Sequence, residues 1–97
     1  MATYAELHGL RQDSELLNRV AAGVAVKSKD LIDNAVGIPQ KNWGRESIKN
    51  PDQTAKDVLW FILVANKNSS LAQINGASDA QIQTNVDNAI NDMVGDL

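Results

Sequence analysis

Apolar positions recur with a helical period along most of the chain, and one stretch departs from it: Val58-Leu59-Trp60-Phe61-Ile62-Leu63-Val64-Ala65 is apolar without a break. A segment apolar on every side has to be covered on every side. It is far shorter than the roughly 20 apolar residues that cross a bilayer, so its cover has to be protein, from this chain or from another copy. Read alone, the octet suits a buried strand as well as a helix, because β-branched and aromatic residues are frequent in it. What precedes it favours the helix. Asn50-Pro51-Asp52-Gln53 offers an Asn cap, Pro at the first helical position, an acidic residue in the positive first turn and Gln at the third position. Ala55, Val58, Leu59, Ile62, Leu63 and Asn66 then follow at helical spacing, which predicts a helix over about 51–66.

The flanking pattern is also helical. From Asp13 or Ser14 to about Val36, Leu16, Leu17, Val20, Ala21, Val24, Leu31, Ile32 and Ala35 keep the i, i+3, i+4 spacing, interrupted at Lys27-Ser28-Lys29. Gly23 inside this run costs up to about 1 kcal/mol relative to Ala, and a close approach by a neighbouring helix is the expected compensation. Gly37 suits a left-handed stop and Pro39 the first turn of a new helix over about 40–48. Near the start, Thr3 and Glu6 form a capping-box spacing over a short turn at 4–7, which Gly9 ends. After the octet, Leu71-Ala72-Gln73-Ile74 makes another short turn closed by Asn75-Gly76. Ser78 and Gln81 repeat the capping-box spacing and open the most regular stripe, Ile82, Val86, Ala89, Ile90, Met93 and Val94, which Gly95 ends. The predicted fold is all-α: one compact domain over 1–97, with five to six helices. Two long helices (about 14–36 and 78–94) pack around the central apolar helix, the first through a small-residue groove at Gly23 and the last through its apolar stripe. That leaves one sector of the octet, Trp60, Phe61 and Val64, without an assigned cover.

Composition narrows the chemistry. With 97 residues there is room for one domain, and 43% hydrophobic with 22% charged residues is ordinary for a folded protein. Cysteine is absent, which removes disulfides, thiolate nucleophiles and cysteine-based metal sites. The start of the sequence lacks the basic and apolar regions of a signal peptide and no stretch is long enough to span a membrane, so the expectation is a soluble product. Asn68-Ser69-Ser70 then reads as an ordinary polar loop. The net charge of −3 is unevenly spread: all nine Lys and Arg lie in residues 1–67, whereas residues 68–97 carry Asp79, Asp87, Asp92 and Asp96 and nothing basic. An acidic chain lacks the positive field that phosphate attraction needs, which argues against a nucleic-acid partner.

Searches for a reactive centre find little. His8 is the single histidine and reads as a surface or helix-end residue. The run Asp87-Asn88-Ala89-Ile90-Asn91-Asp92 lacks the alternating ligands, central Gly and closing Glu of a calcium loop, and reads as a solvated helix face. None of the glycines builds a phosphate-cradling loop. The expectation is therefore no enzyme, no catalytic residue, no metal, no cofactor and no small-molecule substrate. The candidates that remain are for protein contact. Trp60, Phe61 and Val64 become anchors if the octet is only partly covered by its own fold. Trp43 with the stripe Lys41, Arg45 and Lys49 is a second surface, readable either as a contact with a phosphate backbone or an acidic partner surface, or as the solvated side of a helix whose other side carries Trp43 and Ile48. A head-to-tail contact with the acidic last helix of a neighbouring copy would use both charge features.

The words Asn50-Pro51, Val58-Leu59-Trp60, Val64-Ala65-Asn66-Lys67 and Gly76-Ala77-Ser78-Asp79-Ala80-Gln81-Ile82-Gln83 resemble small all-helical virion proteins of tailed bacteriophages. The resemblance covers about residues 50–83 and implies a non-enzymatic part assembled in many copies in a head, neck or tail. Its partners would be copies of itself and other virion proteins, and its location the host cytoplasm during synthesis and then the virion. A small cytosolic regulator or inhibitor of phage origin, binding one protein, is the alternative.

Overall fold

The computed structural model describes residues 14–65 and 76–95. They form four helices and no strand: α1 (Ser14–Asn34), α2 (Ile38–Lys49), α3 (Pro51–Ala65) and α4 (Asp79–Val94). The all-α class is as expected, and the octet is helical. Among the described residues there are four helices, where five to six were expected for the chain. The short turns at 4–7 and 71–74 fall outside the described residues, as do His8 and the loop at 68–70.

The axis of the fold is α1 rather than the apolar helix. Its 21 residues make about 31 Å of helix. The described residues measure 37 × 23 × 23 Å, so α1 is longer than either short dimension. All three other helices pack on it, and α3 touches both long helices as expected but does not organise them. The cause lies in what each helix can offer. α1 buries Leu16, Val20, Gly23, Val24, Lys27, Ser28 and Leu31 along its whole length, while α3 adds Ala55, Val58, Leu59 and Ile62 to the core from one face only.

Two small-residue contacts set the spacing of the helices on α1. At Gly23 the close neighbour is α4, not α3: a Cβ there would lie 3.3 Å from Gln83 Oε1 and from Val86 Cγ2, and Gln83 Nε2 donates to the Gly23 carbonyl at 3.1 Å. At Gly44 the close neighbour is α1, whose Ser28 carbonyl oxygen would stand 2.8 Å from an added Cβ. Here the apparent interruption at Lys27-Ser28-Lys29 acquires its purpose. Ser28 is buried and hydrogen-bonded to buried Ser47 of α2, and Ser47 in turn donates to the Gly44 carbonyl at 2.9 Å. Since the Ser47 proton is used on Gly44, the Ser28 hydroxyl must donate to Ser47 Oγ. Ser47→Ala would strand a buried donor, and a loss of about 1–3 kcal/mol is expected. The double variant Ser28→Ala/Ser47→Ala should lose less than the two single losses added together, because no orphan remains. Urea unfolding of the three variants checks this; additive losses would contradict it.

The helix ends account for most remaining polar contacts. α1 has no basic residue in its last turn, and Lys41 of α2 supplies one, its Nζ donating to the Ile32 carbonyl at 2.7 Å. α1 stops at Asn34, before the expected 36, so Gly37 is not its left-handed stop. Gly37 has φ −77° and ψ 136°, an extended N-cap for α2, which starts at Ile38 with Pro39 in the first turn. Asn50 joins two helices through its backbone: its N–H reaches the Glu46 carbonyl at 3.1 Å and its carbonyl accepts from Thr54 N at 3.0 Å. Its side chain, expected to cap α3, turns back toward the Glu46 carbonyl instead. The Ser78–Gln81 capping box forms as expected, and Gly95 at φ 86° closes α4 in a conformation that favours glycine. Arg19 fastens the start of α4 to α1, through Nε to Asp79 Oδ1 at 3.0 Å and Nη2 to the Ala77 carbonyl at 2.7 Å.

Candidate protein-interaction surface

α3 divides the octet cleanly. Ala55, Val58, Leu59 and Ile62 fall at i, i+3, i+4 and i+7 and are buried. Gln53, Asp57, Trp60 and Val64 fall at i, i+4, i+7 and i+11 on the opposite side, where Val64 is 55% exposed and Trp60 is half-buried. Phe61 and Leu63 flank this open stripe, half-buried and packed on the edge of the core. Of the three proposed anchors, Val64 is therefore the most open and Phe61 the most committed to the fold.

The basic stripe of α2 is less uniform than its sequence spacing implies. Lys41 is held on the Ile32 carbonyl. Arg45 is exposed, its Nη1 donating to Asn42 Oδ1 at 3.2 Å. Lys49 Nζ lies 3.7 Å from Glu46 Oε1, both side chains being about 70% exposed, a loose surface pair of small energetic consequence. Ile48 does not accompany Trp43 to the inner side. It is 55% exposed, and its position three residues beyond Arg45 and one before Lys49 puts it within the stripe. Gly44 and Ser47 are the α2 residues that face α1.

Trp43 thus stands away from the basic stripe. It is half-buried and lines a surface notch of about 280 Å³ between the end of α2 and the start of α3, with Glu46, Asn50, Gln53, Asp57 and Met93. Asp57 Oδ1 accepts from the neutral Gln53 amide at 2.9 Å. Because Gln53 and Asp57 also begin the open stripe of α3, the notch continues into Trp60 and Val64 as one surface, aromatic and apolar with carboxylates at one end. From sequence Asp57 was passed over, Gln53 was read only as part of the helix start and Ile48 was placed on the side of Trp43, although their spacing from Trp60 and Arg45 carried the signal. The corner at the other end of α2, where Val36 is 95% and Ile38 70% exposed, was passed over as a surface too.

The acidic face of α4 is partly engaged within the fold. Asp79 is paired with Arg19 at 2.9 Å and Asp87 accepts from Gln83 Nε2 at 2.8 Å. No described helix is long and apolar enough to cross a membrane. Comparison of the chain with protein-family models, with characterised proteins and with solved structures returns no match.

Proposed function

We propose that this chain is a non-enzymatic structural or assembly protein that works by associating with copies of itself, as a component of a tailed-phage particle. The observation that carries the association is the divided octet. One side of α3 supplies the core, while Val64 remains 55% exposed beside half-buried Trp60 on the other. Aromatic side chains next to exposed aliphatic ones are where the binding energy of protein contacts concentrates. The phage context rests on the sequence resemblance over residues 50–83, and other virion proteins are the further partners it implies. Trp60, Phe61 and Val64 form the main surface. Trp43 extends that surface at the notch, Arg45 and Lys49 belong to a second one, and Lys41 supports the second by holding α2 on the end of α1.

Light scattering of the purified chain over a concentration series tests self-association. The expected result is a mass that climbs above the 10.5 kDa of one chain. A mass that stays at one chain throughout would contradict self-association and move the reading to a regulator or inhibitor that docks on a different protein.

A further inference from the structure

The chain carries two exposed surfaces of opposite charge, each built around one exposed aliphatic side chain. The first is the notch and its continuation, Trp43, Glu46, Asp57, Trp60 and Val64; the second is Arg45, Ile48 and Lys49 on the outer side of α2. Resting on the self-association reading, we propose that the notch beside Trp43 receives the Arg45 guanidinium of a second copy, placing that copy's Ile48 against Trp60 and Val64.

The charges favour this occupant. Among the described residues Asp57 has only the neutral Gln53 amide as partner, and Arg45 only the neutral Asn42 carbonyl. Each surface therefore keeps one charge, Asp57 or Arg45, without a counter-ion among the described residues, while Lys49 and Glu46 face each other loosely at 3.7 Å. The α3 N-terminus, which opens beside the notch, contributes about half a positive charge, and Asp52 in its first turn already opposes that. The carboxylates of Glu46 and Asp57 set the sign. Arginine suits the place better than lysine does, because a planar guanidinium can lie on an indole while its N–H groups reach a carboxylate. Arg45 cannot fill the notch of its own chain: two residues along a helix are about 200° apart, which turns Arg45 away from Trp43. The contact has to run between copies. It differs from the pairing of basic stripe with acidic last helix considered from sequence: Asp79 is already paired with Arg19, and among the described residues α4 has no large apolar side chain that is exposed.

A charge swap decides it. Arg45→Asp, Asp57→Arg and the combined Arg45→Asp/Asp57→Arg chain are compared with wild type by light scattering at low salt, with helix content followed by circular dichroism. Both positions are exposed, so all three variants should keep wild-type helix content. Each single variant should raise the dissociation constant by about tenfold or more, and the combined variant should return it to within about threefold of wild type. Single variants that associate like wild type, or a combined variant no better than either one, would overturn the proposal and leave self-association standing. A wild-type chain that never exceeds one copy would overturn both.

Discussion

Gly44→Ala should destabilise the fold by about 2 kcal/mol, although it adds a single methyl group and replaces glycine inside a helix. The added Cβ would lie 2.8 Å from the Ser28 carbonyl oxygen, 3.1 Å from Ile32 Cγ1 and 3.5 Å from Leu31 Cβ. The nearest of these is backbone in the middle of α1 and cannot swing aside, so the helices must part. Parting them also stretches the Ser28–Ser47 hydrogen bond, which is buried in the same crossing. Alanine returns about 1 kcal/mol of helix propensity, too little to offset a clash of roughly 1–3 kcal/mol joined to a strained buried hydrogen bond. The melting temperature should fall by about 10 °C for a domain of this size.

Gly23→Ala is the control, because it looks the same in sequence. Its Cβ would meet only side-chain atoms, Gln83 Oε1 and Val86 Cγ2 at 3.3 Å. Gln83 can rotate at the expense of its bond to the Gly23 carbonyl. Propensity gain and local crowding then nearly cancel, and a change within about 1 kcal/mol of zero is expected. Thermal melts of the two variants side by side check the pair. Equal stabilities would mean that the α1–α2 crossing is not as close as described.

The second large effect separates the two sides of α3. Leu59 is 1% exposed, and Leu59→Ala should cost about 2–5 kcal/mol. A domain of this kind holds only about 5–15 kcal/mol in total, so a large part of the molecules should lose their structure on mild heating. Val64→Asp, five residues along the same helix, should change stability by no more than about 0.5 kcal/mol, since Val64 is 55% exposed and lies on the opposite side. Urea midpoints of the two variants measure this division. A Val64→Asp chain as unstable as Leu59→Ala would mean that the whole octet is core, which would remove the surface on which the proposed function depends. Phe61→Asp is less informative, because Phe61 packs on the edge of the core as well as flanking the open stripe.

Those parts of the fold that depend on short-range spacing were legible in the sequence. The Ser78–Gln81 box and the Ile82 to Val94 stripe specify α4 within one residue, since cap and periodicity are both local. Pro51 and Asp52 likewise mark where α3 starts. What could not be read was which helix meets which. Gly23 signals a close approach, but only the three-dimensional arrangement shows that Val86 and Gln83 occupy the space rather than the octet. Ser28 looked like an interruption because its partner, Ser47, lies 19 residues away, and a buried hydroxyl pair is indistinguishable in sequence from two surface serines. Gly44 was passed over for the same reason. The site shows both kinds of outcome. The side of α3 opposite its core residues was legible from helical period alone. Ile48 was assigned to the wrong side of α2 although its spacing from Arg45 placed it correctly, and Lys41 read as a free cation because the carbonyl it serves belongs to another helix.

Sedimentation equilibrium of wild type and Val64→Asp at matched concentrations tests the central claim most directly. The expected result is a wild-type mass that rises with concentration above the 10.5 kDa of one chain, and a Val64→Asp mass that stays at one chain with helix content unchanged. The same mass for both proteins at every concentration would contradict the claim.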